Sequence, residues 1–135
     1  MARKASTQPT DAELAILKVL WNRGPSSVRA VHDALGARRG TGYTTTLKQL
    51  QVMADKGLVA RDETGRSHVY RARMSETRAL RELAASLLGR AFDGSVHKLV
   101  MHALAARRAA PEELAEIRAL LDELERKGKG HVGDP

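Results

Sequence analysis

Residues 41–57 read TGYTTTLKQLQVMADKG, and residues 58–73, which follow them, read LVARDETGRSHVYRAR. At about 100° per residue in a helix, Leu47, Leu50, Met53 and Ala54 share one face. Thr44, Thr45, Lys48 and Val52 fall on or near the other. An apolar stripe turned to a core is ordinary for a helix. The opposite face is less ordinary: hydroxyls fill its first turn, a lysine follows, and no acid occurs before Asp55. Such a face hydrogen-bonds phosphates and base edges without repelling them. Gly57 is placed to end the helix in the left-handed region. Beyond it, two β-prone runs, 58–61 and 68–72, flank a polar turn at 62–67, with Gly65 free to take positive φ. The pattern predicts a helix followed by a hairpin.

Upstream, Thr10 is an N-cap and Glu13, three residues on, completes a capping box. The helix predicted over 11–23 carries Leu14, Leu17, Val19, Leu20 and Trp21 as a broad apolar face, with Trp21 a packing residue. Gly24-Pro25 ends it. Ser26 or Ser27 caps a second helix over 28–35, with Val28, Val31 and Leu35 inward, and Gly36 stops it. A short basic loop with Arg38 and Arg39 leads into the third helix. Three helices with short connections match a helix-turn-helix core, and the hairpin behind them is a wing. Arg66 and Ser67 at its tip are placed to reach a flanking phosphate or the minor groove.

Downstream the pattern is helical throughout. Ser75 caps a helix to about residue 92 carrying Leu80, Leu83, Leu87, Leu88 and Phe92, and Asp93-Gly94 breaks it. A second helix over 95–108 carries Val96, Leu99, Val100, Ala103 and Leu104. Pro111 opens a third, to about residue 127, with Glu112 and Glu113 at its positive end and Leu114, Ile117, Leu120, Leu121 and Leu124 on its stripe. About sixty residues of amphipathic helix rarely bury enough apolar surface alone, and a second copy of the chain is the economical partner. The expected dimer contacts are Leu80, Leu83, Leu87, Val96, Leu99, Val100, Leu114, Ile117, Leu121 and Leu124. The predicted fold is mainly α with a small β-hairpin. A disordered arm (1–9) precedes a winged helix-turn-helix (10–74), an all-α dimerisation domain (75–127) and a disordered tail (128–135).

Charge follows the same division. The net charge is +7, yet residues 1–74 hold 13 Lys and Arg against 6 Asp and Glu, while residues 75–135 hold 10 of each. A generally basic surface would not divide so; a polyanion-binding domain joined to a neutral interaction domain would. The 135 residues are 42% hydrophobic but only 3% aromatic, so the core must be aliphatic. With no cysteine, disulfides, thiolate zinc sites and cysteine catalysis are excluded. No run approaches the roughly 20 apolar residues of a membrane helix, and MARKASTQPTDAE at the start has no apolar signal segment. A cytoplasmic protein is expected.

Catalytic patterns are absent. Of His32, His68, His97, His102 and His131, the closest helical pair, His97 and His102, stands about 140° apart around a helix, a poor chelate, and HExxH is missing. Gly40-Thr41-Gly42 lacks the GxxxxGK[ST] pattern, and there is no GxSxG. Neither an enzyme nor a metal or other cofactor is expected. Two functions remain: a dimeric DNA-binding repressor, or a winged-helix module that buries the same helix in a protein partner. The charge division favours the first, and pairing would set two recognition helices on a two-fold symmetric site.

The stretches DAELAILKVLW, VRAVHDAL, YTTTLKQLQVMADKGLV and GRSHVYRAR resemble the BlaI/MecI-type penicillinase repressor family, which also includes CopY-type copper repressors. The resemblance covers residues 10–127; in the C-terminal part it lies in helix order and GSVHKLV. It implies a winged-helix homodimer that represses by occupying operator dyads, with helix contacts to DNA from Tyr43, Thr44, Thr45 and Lys48 and a wing contact from Arg66. The candidate DNA-binding set is then Arg38, Arg39, Thr41, Tyr43, Thr44, Thr45, Lys48, Arg66 and Ser67. Two departures stand out. Where members released by a membrane sensor and protease carry an Asn-Phe bond, this chain has His102-Ala103, so the resemblance names no sensor or protease for it. The cysteine metal motif of the CopY type is absent.

Overall fold

Thr10 opens the first helix as its residue type requires. Its Oγ1 accepts from the Glu13 amide at 3.2 Å, and its own N–H donates to Glu13 Oε1 at 3.0 Å, so two orphan donors are satisfied reciprocally. The helix α1 (Asp11–Arg23) is followed by β1 (Ser26–Ser27), α2 (Val28–Leu35), α3 (Tyr43–Lys56), β2 (Val59–Asp62) and β3 (Val69–Ala72). Then come α4 (Glu76–Ala91), α5 (Val96–Ala106) and α6 (Pro111–Gly130). The computed structural model describes residues 8–36, 40 and 42–130.

The core is aliphatic plus one tyrosine. Ile16, Leu17 and Leu20 of α1 meet Val28 and Val31 of α2, Leu50 and Met53 of α3, Leu58, Val59 and Tyr70. Burying each of the large side chains contributes about 1.5–3 kcal/mol, which fixes α3 by one face. Ile16, absent from the predicted α1 stripe, is fully buried. Gly57, at φ 84°, is the left-handed stop that the sequence called for. Its N–H and that of Leu58 close on the carbonyls of Ala54 and Met53 at 3.1 and 2.9 Å, and the chain turns straight into β2.

The wing is built differently from the expectation in two respects. First, it is a three-stranded antiparallel sheet of order β1-β3-β2, because Ser26 and Ser27 pair with Tyr70 and Val69. A two-residue strand is too short to show periodicity. Ser27 still caps α2, accepting from the Ala30 amide at 3.1 Å, whereas Ser26 is buried in the sheet and its hydroxyl donates to the Gly24 carbonyl. Second, Gly65 does not take positive φ. The Asp62 carboxylate instead forms the turn, accepting from the Thr64 amide at 2.9 Å and its hydroxyl at 2.8 Å. Within the same turn, Glu63 pairs with Arg61.

By its contacts the chain falls into two units divided between Ser86 and Leu87, inside α4. The reason is local. Trp21 Nε1 donates to the Met74 carbonyl at 2.9 Å and Ala79 is buried, so the first turns of α4 belong to the first unit. In the second unit, Asp93 (φ 54°) and Gly94 (φ 77°) turn the chain, and Ser95 caps α5 through the Lys98 amide. Helix α6 continues through Gly128 to Gly130 instead of stopping near Lys127. One glycine costs a helix only about 1 kcal/mol, and the next proline, Pro135, lies five residues beyond Gly130. Among the described residues no helix is long and apolar enough to cross a membrane.

Candidate nucleic-acid interface

Helix α3 is held from three sides. Its buried face consists of Thr46, Leu50 and Met53, all fully buried. Thr46, which the sequence pattern did not single out, keeps its hydroxyl satisfied inside the core, 3.4 Å from the Gly42 carbonyl and 3.5 Å from His32 Nδ1. At the far end, Lys56 Nζ donates to Glu13 Oε1 at 2.7 Å and to the Gln8 carbonyl at 3.4 Å. That pair is largely shielded, with side-chain exposures of 17% and 8%. It ties the last turn of α3 to the first turn of α1.

With that face fixed, the opposite face is determined. About 180° from the buried residues lie Thr44, Lys48, Gln51 and Asp55, all exposed. Lys48 makes no ion pair among the described residues. Gln51 was missed on sequence, although its spacing of seven from Thr44 and three from Lys48 was signal enough. Thr45 and Val52 flank this ridge on one side, where they line a depression with Thr10, Glu13, Thr44, Lys48 and Gln49. Val52 is 45% exposed, an apolar group beside polar ones.

On the ridge's other side Tyr43 and Leu47 line a cleft with Ser27, Val28 and Arg29 of the α2 start and Arg66, Ser67 and His68 of the wing. The Arg29 guanidinium lies over the Tyr43 ring, 4.8 Å from its centroid, and His32 meets the same ring edge-on at 6.2 Å. Arg29 and His68 had no sequence signal; only the tertiary fold brings them beside Tyr43. Within the wing, Arg61 is engaged at the root. Its guanidinium pairs with the Glu63 carboxylate. Arg66 at the tip has no such partner among the described residues.

The structure thus brings Tyr43, Thr44, Thr45, Lys48, Arg66 and Ser67 to one exposed surface around α3. Arg38, Arg39 and Thr41 lie outside the described residues. In the helical part, Leu80, Leu87, Val96, Val100, Leu114, Leu121 and Leu124 are exposed, while Leu83, Leu99 and Ile117 are half-buried. Met101, Leu104 and Leu120 are further exposed apolar residues. No residue of α5 is buried.

Three short helices, a hairpin on a third strand and an exposed polar third helix define a winged helix-turn-helix protein. Residues 9–123 match the penicillinase repressor family, and the chain belongs to that family. It is 35% identical over 131 residues to the transcriptional regulator BlaI of Mycobacterium tuberculosis, covering 96% of this chain and 91% of that protein. It is 25% identical over 126 residues to the penicillinase repressor of Bacillus licheniformis, covering 93% and 98%. The family and these relatives are named as repressors and regulators, not as enzymes.

Proposed function

We propose that this protein is a DNA-binding transcriptional repressor that acts as a homodimer on a two-fold symmetric operator. The observation that carries the proposal is the outward ridge of α3. Threonine hydroxyls and Lys48, which makes no ion pair among the described residues, stand exposed on a helix whose other face is locked in the core. A helix presented this way fits the major groove. Thr44, Thr45 and Lys48 face base edges and phosphates, Tyr43 sits at the groove margin, and Arg66 and Ser67 of the wing reach the neighbouring backbone. Arg38 and Arg39 add charge at the entry to the helix. The names of the relatives and the +7 charge carried by the first 74 residues support the same function.

Residues 10–74 are the DNA-binding domain in this proposal, and residues 75–127 pair the chains. The apolar residues exposed along α4, α5 and α6 are ones that a single chain leaves in water, and a second copy covers them by symmetry. Repression then follows from occupancy, since a bound dimer blocks whatever else must use the site. The test is a salt titration of duplex binding. A dimer contacting ~6–10 phosphates loses roughly a thousandfold or more in affinity between 50 and 200 mM salt. Absence of duplex binding at low salt refutes the proposal and leaves α3 as a protein-docking helix.

A further inference from the structure

The cleft between the α2 start, Tyr43 and the wing brings two arginines and a histidine to one place, with no acid in its lining. Neither Arg29 nor Arg66 makes an ion pair among the described residues. Like charges set around one cleft repel each other until an anion sits between them. Arg29 is also restrained. Its guanidinium rests on the Tyr43 ring at 4.8 Å, and that ring is in turn braced edge-on by His32, whose Nδ1 stands 3.5 Å from the buried Thr46 hydroxyl. A chain of contacts therefore runs from the core to an exposed guanidinium. A stacked arginine loses less conformational freedom when it forms its hydrogen bonds, and its planar fork suits phosphate oxygens.

We propose that this cleft seats one phosphodiester of the DNA backbone, gripped by Arg29 from one side and Arg66 from the other. Tyr43 is the positioning residue that holds Arg29 in place. This rests on the DNA-binding function proposed above and extends the interface to α2, which supplies a contact that fixes how α3 enters the groove. The contact reads charge and not sequence, so it acts equally on any duplex.

The test uses the full chain and a random-sequence 30-base-pair duplex, with affinity measured across a salt series. Wild-type protein is titrated first; if it binds no duplex at 50 mM salt, the DNA-binding function itself fails and this site with it. Given binding, Arg29→Ala lowers the slope of log affinity against log salt by about 0.9 for each protomer bound. Arg29→Lys keeps the slope, because the charge remains. Tyr43→Leu weakens binding, and Arg29→Ala/Tyr43→Leu is no weaker than Arg29→Ala alone. A slope unchanged by Arg29→Ala, with unfolding of the variant as in wild type, overturns the proposal. Full additivity of the Arg29 and Tyr43 losses overturns the positioning role of Tyr43.

Discussion

Glu13 does two jobs with one oxygen, and comparing its removal with a neutral replacement should separate them. Its Oε1 accepts from the Thr10 amide at 3.0 Å and from Lys56 Nζ at 2.7 Å. The cap is worth about 1 kcal/mol. The ion pair lies between two limits, about 0–1 kcal/mol for exposed pairs and 3–5 for breaking buried ones. Lys56 retains 17% exposure and can turn toward water, so about 1–2 kcal/mol is expected. Glu13→Ala should therefore cost about 2–3 kcal/mol and lower Tm by roughly 8–12 °C at about 4 °C per kcal/mol. Glu13→Gln keeps an oxygen for the Thr10 amide and should cost only about 1–2 kcal/mol. The assay is urea unfolding followed by circular dichroism at fixed protomer concentration, with Lys56→Met completing a double-mutant cycle. A coupling of about 1 kcal/mol or more is predicted. Coupling under about 0.3 kcal/mol would mean that the Glu13–Lys56 pair contributes nothing and that α1 and α3 are joined by apolar packing alone.

Three further outcomes are expected. Lys48→Ala weakens operator binding and, through loss of a guanine contact, relaxes preference at one base pair by about 1–3 kcal/mol; equal losses on every sequence would reduce Lys48 to a phosphate contact. The Asp62 carboxyl is held below the usual carboxylate range by the Thr64 amide and hydroxyl. Its folded pKa lies below the unfolded value of about 3.9, so its stabilisation of the wing turn is complete above that value. It is lost as pH falls through the folded pKa. The Thr64 amide signal in NMR should shift over that window in wild type and not in Asp62→Asn, and a shift in the variant contradicts the assignment. Finally, Val100→Glu with Leu121→Glu places charge on two exposed apolar positions and should convert a dimer to a monomer in sedimentation experiments; unchanged mass would place the pairing surface elsewhere.

What the sequence disclosed depended on how local each signal was. The capping box at Thr10, the glycine stop at Gly57 and the period of Leu50 and Met53 are written within a few residues, and each helix of the first domain lies where the pattern puts it. The wing turn was harder to read: a glycine that could take positive φ was outweighed by a nearby aspartate able to accept two hydrogen bonds from Thr64. Strand β1 was illegible, because Ser26 and Ser27 become a strand only when Tyr70 and Val69 arrive beside them. The same distinction holds for the interface. Thr44, Thr45 and Lys48 follow from helical spacing. Arg29 and His68 join Tyr43 through packing between elements some distance apart in the chain, which no spacing rule encodes.

In the proposed complex the α3 ridge reads a symmetric DNA site from a paired chain. Selection of bound duplexes from a library with a randomised central segment shows whether it does. The expected result is enrichment of an inverted repeat with half-site centres about 10 or 20 base pairs apart, one or two helical turns, and loss of its most conserved position with Lys48→Ala. Enrichment of a single asymmetric site, or of no sequence at all, would contradict it.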